Sequence, residues 1–129
     1  MKHLYFTSIV LLLFISCGQK EEKKEPLYPE SVTETKQTPE QLGQEIFDSK
    51  GNCYTCHKPD QKTIGPSMQE IAAIYTEKGG DIVSFLRGNE KPLVDPSQYE
   101  VMKTNFVVTK AMSEAELRGL EAYIYSFKK

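Results

Sequence analysis

Cys53-Tyr54-Thr55-Cys56-His57 gathers two thiols and an imidazole within five consecutive residues. Two cysteines at this spacing, followed at once by histidine, can add to the two vinyl groups of a haem, and the imidazole then falls beneath the iron. Covalent attachment and one axial nitrogen thus come from a single turn of chain. A chance match in a chain of this length is on the order of one in a thousand. Other chemistries suit the same residues less well. Structural zinc needs four protein ligands, and beyond these three the sequence offers only Cys17 and His3. A thioredoxin-type redox pair calls for a preceding strand in a βαβ setting, whereas a helical pattern and a glycine turn precede Cys53. A disulfide at this spacing is sterically awkward and gives His57 no role.

A haem iron held by His57 needs a donor on its other face. His3 lies in a leader segment expected to be removed, so a second histidine ligand from this chain is excluded, and a soft thioether is the natural choice. The candidates are Met68, Met102 and Met112. Met68 shares a helical face with Ile71 and Tyr75 and reads as core. Met112 directly precedes a helix cap and reads as a hydrophobic staple. Met102 falls in a stretch free to cross the haem face and is preferred, with Met112 as the alternative.

The elements that position these residues are helices. Thr38-Pro39-Glu40-Gln41 is a capping box with proline at the first helical position. Leu42, Ile46 and Phe47 follow on one face, and Gly51 is expected to close the helix in a left-handed cap. Ser113-Glu114-Ala115-Glu116 is a second capping box. Leu117, Leu120, Tyr123, Ile124 and Phe127 continue from it at spacings of three and four, predicting an amphipathic helix to the C-terminus that ends in Lys128 and Lys129. Between them, Ser67–Glu77 reads as a helix broken by Gly79-Gly80. Asp81 caps a short helix through Leu86, which Gly88 ends. Residues 89–110, with Pro92 and Pro96, read as loop, and Val107-Val108-Thr109 as its extended part.

The expected fold class is therefore all-α, a domain of about 90 residues over 38–129 with long connections. Such a domain buries only a modest core, and long structureless loops inside it are uncommon unless they have a function. A single covalent haem resolves both points, because it supplies a large apolar plane and two staples between chain and cofactor. Leu42, Phe47, Ile64, Met68, Ile71, Tyr75, Leu86, Phe106 and Leu120 are candidates to pack on it or near it.

The first third of the chain is of another kind. Lys2 followed by the mostly apolar run Leu4–Ile15 is too short for a membrane span and reads as a secretory signal over residues 1–16. Ser16-Cys17-Gly18 just beyond it resembles a bacterial lipoprotein processing site, which implies cleavage before Cys17 and its lipidation. Gly18–Gln37 is rich in Glu, Lys, Pro and Thr. It cannot bury enough surface to offset ordering entropy and reads as a flexible tether, with a root-mean-square reach of roughly 25 Å. Gln19-Lys20-Glu21-Glu22 resembles a surface-export signal of bacterial lipoproteins and reads equally well as plain charged linker. The expected location is the cell envelope of a Gram-negative bacterium, lipid-anchored on the periplasmic side or at the outer-membrane surface. Sixteen basic and eighteen acidic residues leave a formal charge of −2, so no basic excess exists to grip a nucleic acid.

From Thr38 to Phe127 the chain resembles the class I cytochromes c, and more narrowly the short monohaem cytochromes of bacterial lipoproteins. Gly43 and Phe47 match the family's glycine and aromatic where the first and last helices cross, with Leu120 and Tyr123 on the other side. Ile64-Gly65-Pro66 matches its Gly-Pro element, and the resemblance implies that the Pro66 carbonyl accepts a hydrogen bond from His57 Nδ1–H. Met102 precedes the last helix as the family's methionine ligand does, although Lys103-Thr104 stands where relatives often have a proline-containing turn. The resemblance implies haem-binding residues Cys53, Cys56, His57, Pro66 and Met102, with His57 and Met102 on iron. It implies a monomeric electron carrier, not an enzyme, that meets redox protein partners and the membrane and serves a respiratory chain. The rival readings are a haem-based ligand sensor and a cytochrome subunit of a larger oxidase or dehydrogenase. Lys50, Lys58, Lys62 and Lys103 are read as ordinary solvated lysines rather than docking residues.

Overall fold

A computed structural model describes residues 37–129. The signal segment, Cys17 and all but the end of the tether lie outside the described residues. Six helices follow one another along the described residues: α1 (Pro39–Asp48), α2 (Met68–Lys78), α3 (Ile82–Leu86), α4 (Tyr99–Lys103), α5 (Phe106–Thr109) and α6 (Glu114–Tyr125). Two 3₁₀ turns, Cys53–Thr55 and Pro96–Gln98, complete the set. There is no strand among the described residues, so the fold is all-α as expected.

Each long helix begins where a side chain can satisfy its free amides. Thr38 Oγ1 accepts from Gln41 N at 3.2 Å, and Gln41 Oε1 accepts from Thr38 N at 2.9 Å. Ser113 and Glu116 repeat the reciprocal pair at α6. Ser67 Oγ accepts from Glu70 N at 3.1 Å to start α2, and Asp81 Oδ1 from Ser84 N at 2.9 Å to start α3. Gly79 (φ 63°) and Gly88 (φ 74°) end α2 and α3 in the left-handed region, where a Cβ is costly.

α1 and α6 cross backbone to backbone. A Cβ built on Gly43 would lie 1.9 Å from the Gly119 carbonyl oxygen, so only glycine permits this approach. Phe47 meets Tyr123 edge to face at 5.3 Å, and Tyr123 meets Phe127 at 5.1 Å, a favoured aromatic geometry. Lys50 and Glu116 pair at one end of the crossing. The buried set Ile46, Phe47, Met68, Ala72, Tyr75, Ile82, Val83, Leu86, Met112, Leu117, Leu120 and Ile124 forms the core around it.

Three local expectations need correction. Gly51 is not the left-handed residue after α1; Asn52 is, at φ 50°. Asparagine tolerates that region, while Gly51 answers a different demand: a Cβ there would lie 2.7 Å from the Ile46 carbonyl oxygen and 3.0 Å from Cys53 Sγ. Residues 89–110 are not all loop, since they hold α4 and α5, and Val107–Thr109 is helical. Phe85, Tyr99 and Phe106 pack ring against ring at 5.4–6.4 Å, and without a proline at Lys103-Thr104 the chain is free to coil. Thr109, fully buried, donates through Oγ1 to the Leu86 carbonyl at 2.6 Å, so α5 joins α3 through a bond that satisfies the buried hydroxyl. Finally, α6 stops at Tyr125, short of Lys128 and Lys129.

Candidate functional site

The 3₁₀ turn after α1 is what brings the two thiols and the imidazole to one place. Cys56 N and His57 N both donate to the Cys53 carbonyl, at 3.1 and 3.0 Å. The following segment folds back on Cys56: its carbonyl accepts from Gly65 N at 2.9 Å and from Thr63 Oγ1 at 2.6 Å. This return lays Ile64-Gly65-Pro66 against the imidazole. His57 Nδ1 lies 2.7 Å from the Pro66 carbonyl oxygen. A carbonyl can only accept, so Nδ1 carries the proton and Nε2 presents its lone pair. Gly65 is required here because a Cβ would sit 2.5 Å from His57 Cε1. Burial holds the His57 pKa below its ordinary value, against the opposing pull of the Pro66 bond, so the ring is neutral and able to ligate a metal. Burial also pushes the Cys53 thiol up to about 11, which keeps it protonated at neutral pH.

These residues line an apolar cleft of about 260 Å³. Its lining includes Phe47, Met68, Ile82, Leu86, Leu120 and Ile124 from the core, together with Cys53, Cys56, His57, Pro66 and Met102. Of the sequence candidates for packing there, Ile64, Ile71 and Tyr75 also line it; Leu42 and Phe106 do not. Leu42 is instead placed toward Gly119, where an added Cβ would lie 3.3 Å from Leu42 Cγ, and Phe106 belongs to the ring cluster with Phe85 and Tyr99.

The three methionines separate clearly. Met112 is buried in the core and does not line the cleft, whereas Met68 and Met102 do. Met68 N donates to the Lys58 carbonyl at 2.9 Å, which fixes Met68 to the same segment as His57 and Pro66. Met102 sits on α4 rather than in a loop, and is half-buried.

Sequence reasoning missed three partners. Gly119 is the other half of the helix crossing, and a second glycine inside a helical pattern was its signal. Asn105 Nδ2 donates to the Gly51 carbonyl at 3.2 Å, tying the chain just past α4 to the turn before Cys53. Lys62 pairs with Asp95 at 2.7 Å. The other lysines near the site also have local engagements: Lys58 donates to the Tyr54 carbonyl and lies over its ring, and Lys103 pairs with Glu100.

Two adjacent thiols, a neutral imidazole with Nε2 available and an apolar cleft beside them are the donor set and surroundings that a covalently attached haem requires. Residues 40–128 match the family model described as Cytochrome c. The chain belongs to the cytochrome c family, and with that membership comes covalently bound haem c, for which Cys53 and Cys56 stand at the attachment positions.

Among curated proteins, cytochrome c-552 of Nitrosomonas europaea is 40% identical over 42 residues, covering 33% of this chain and 40% of that protein. Cytochrome c-551 of Azotobacter vinelandii is 40% identical over 40 residues, 31% of this chain and 48% of its own. Cytochrome c-551 of Pseudomonas denitrificans is 27% identical over 93 residues, 67% of this chain and 98% of that protein. The chain thus spans less than half the length of the first two and nearly all of the third.

Proposed function

We propose that this protein carries single electrons, with its haem iron held between His57 Nε2 and Met102 Sδ. The observation that carries this reading is the 2.7 Å contact between His57 Nδ1 and the Pro66 carbonyl, in the same apolar cleft that Met102 lines. When bound, the haem iron supplies the ferric–ferrous couple. Of the chain's own residues, Pro66 fixes the imidazole orientation, the apolar lining would exclude water, and Met102 would offer a thioether to the bound group, a pairing that raises the potential. With both donors supplied by the chain, no position would be left for a substrate, so the reading is of a carrier rather than an enzyme.

Met102→Ala is expected to abolish the sulfur-to-iron charge-transfer band of the ferric protein. It should also make the ferrous protein bind carbon monoxide, to which the unsubstituted protein is indifferent. Optical spectra of both oxidation states check this. Ready carbon monoxide binding by the unsubstituted protein would sink the reading in favour of a haem sensor.

Location belongs to the same proposal. The apolar run ending just before Cys17 supports removal of residues 1–16 and lipidation of Cys17. Acyl chains contribute about 0.8 kcal/mol per buried CH₂, so several of them hold the domain at an envelope membrane of a Gram-negative bacterium. Among the described residues no helix is long and apolar enough to cross a membrane. Residues 18–37 then act as a swinging tether between redox protein partners of a respiratory chain, with the domain itself a monomer. Cys17→Ser is expected to move most of the haem protein from the membrane fraction to the soluble fraction on cell fractionation. Unchanged membrane retention would count against the anchor.

A further inference from the structure

The helix that carries Met102 is lightly held. α4 contributes no fully buried residue to the core; it is held by the Tyr99 ring against Phe85 and Phe106 and by Met102, partly buried against the core. Two polar ties compensate, one on either side of Met102 in sequence. Asn105 reaches the Gly51 carbonyl on one side. On the other, Lys62 Nζ lies 2.7 Å from Asp95 Oδ2.

The Lys62–Asp95 pair joins residues 33 apart in sequence. Its two ends are both fixed in place. Lys62 adjoins Thr63, whose hydroxyl and amide are bonded to the Cys56 and Gly65 carbonyls, so it rides on the segment that fixes His57. Asp95 lines the cleft and begins the turn that runs directly into α4. Its Oδ1 accepts from Ser97 Oγ at 2.5 Å, and its carbonyl accepts from Gln98 N at 3.2 Å. The Asp95 side chain is only 14% exposed, against 58% for Lys62, so the carboxylate is pinned at both oxygens while the ammonium reaches in from solvent. Lys62 and Ser97 together hold the Asp95 carboxyl down to about 2.

We infer that Lys62 and Asp95 are positioning residues for Met102: their ion pair clasps the α4 segment to the haem-attachment segment and slows departure of the Met102 sulfur from iron. The inference rests on Met102 being the axial ligand, as proposed above. The pair's energy opposes lifting of the α4 segment, because that motion separates the charges. Global unfolding separates many other contacts besides.

The test uses the full haem-loaded ferric protein with imidazole as an external ligand, followed by stopped-flow loss of the sulfur-to-iron band. At saturating imidazole the observed rate becomes the rate at which Met102 leaves. Lys62→Met and Asp95→Asn are each expected to raise this limiting rate roughly three- to fivefold, the range of a partly exposed ion pair. Lys62→Arg keeps it within about twofold of the unsubstituted protein, because the charge is retained. About 0.5 M sodium chloride speeds the unsubstituted protein and leaves Lys62→Met unaffected, since only the former has a pair to screen. Lys103→Met, which removes the Lys103–Glu100 pair within α4, leaves the rate unchanged.

A band present in all variants with equal limiting rates would overturn the clasp while Met102 ligation stood. A band missing from the unsubstituted protein would overturn the axial reading, and the clasp with it.

Discussion

Gly43→Ala is expected to destabilise the haem-loaded protein by about 3 kcal/mol and to lower its thermal midpoint by on the order of 15 °C. The added Cβ would meet the Gly119 carbonyl oxygen at 1.9 Å, its carbon at 2.4 Å and Tyr123 Cβ at 2.8 Å. None of these atoms can rotate aside, so α1 and α6 must separate. Phe47, Leu120 and Ile124 of these helices line the cleft, and the disturbance therefore reaches the haem. Gly119→Ala provides the internal comparison. Its Cβ would meet Gly43 N and the Pro39 carbonyl oxygen at 3.1 Å and Leu42 Cγ at 3.3 Å, contacts that a few tenths of an ångström relieve. Alanine is intrinsically the better helix former by about 1 kcal/mol, which should nearly cancel the remaining strain at Gly119. Scanning calorimetry of the two variants checks the claim, and equal shifts would show that the close approach is not the limiting contact.

The second large effect concerns attachment. Replacing both Cys53 and Cys56 by serine should leave no haem on the chain after denaturing electrophoresis. It should also reduce helix content by about half or more at room temperature, because a domain this small has little core to spare. The reason lies in what lines the cleft: Met68, Ile82, Leu86 and Leu120 are core residues as well as lining. The chain buries these itself, but it leaves Ile64 and Val101 of the same lining 52% and 50% exposed, apolar surface that a bound haem would cover. Far-UV circular dichroism with thermal melts measures the outcome. A cooperative melt at the native midpoint in the doubly substituted protein would show that the polypeptide core suffices alone.

Much of this was legible from local chemistry. Caps such as Thr38, Ser67, Asp81 and Ser113 act within four residues of themselves, so their sequence signal is complete. The Cys53–His57 run is likewise self-contained. What escaped sequence reading depends on distant chain. α4 and α5 have five and four residues, too few for a helical period to show, and they owe their form to the rings of Phe85, Tyr99 and Phe106 meeting in space. Gly119 and Gly43 become a pair only once two helices cross. Asn105 bonds to a backbone carbonyl, an acceptor that every residue carries and no sequence marks. The loop expected to bear Met102 turned out to be a helix for the same reason: its prolines lie before it, and Pro96 starts the turn that leads into it.

The α1–α6 pairing also dictates when this protein can close during its manufacture. Lys50 and Glu116, partners at that crossing, are 66 residues apart, and α6 is the last of the described helices in chain order. Closing so large a loop is entropically slow, and contacts of long sequence separation form late. While the chain is still emerging, α1 has no partner and the Cys53–His57 turn just after it has no finished cleft over it. Until α6 brings Leu120 and Ile124 to the cleft, the two thiols after α1 stand beside an incomplete apolar lining.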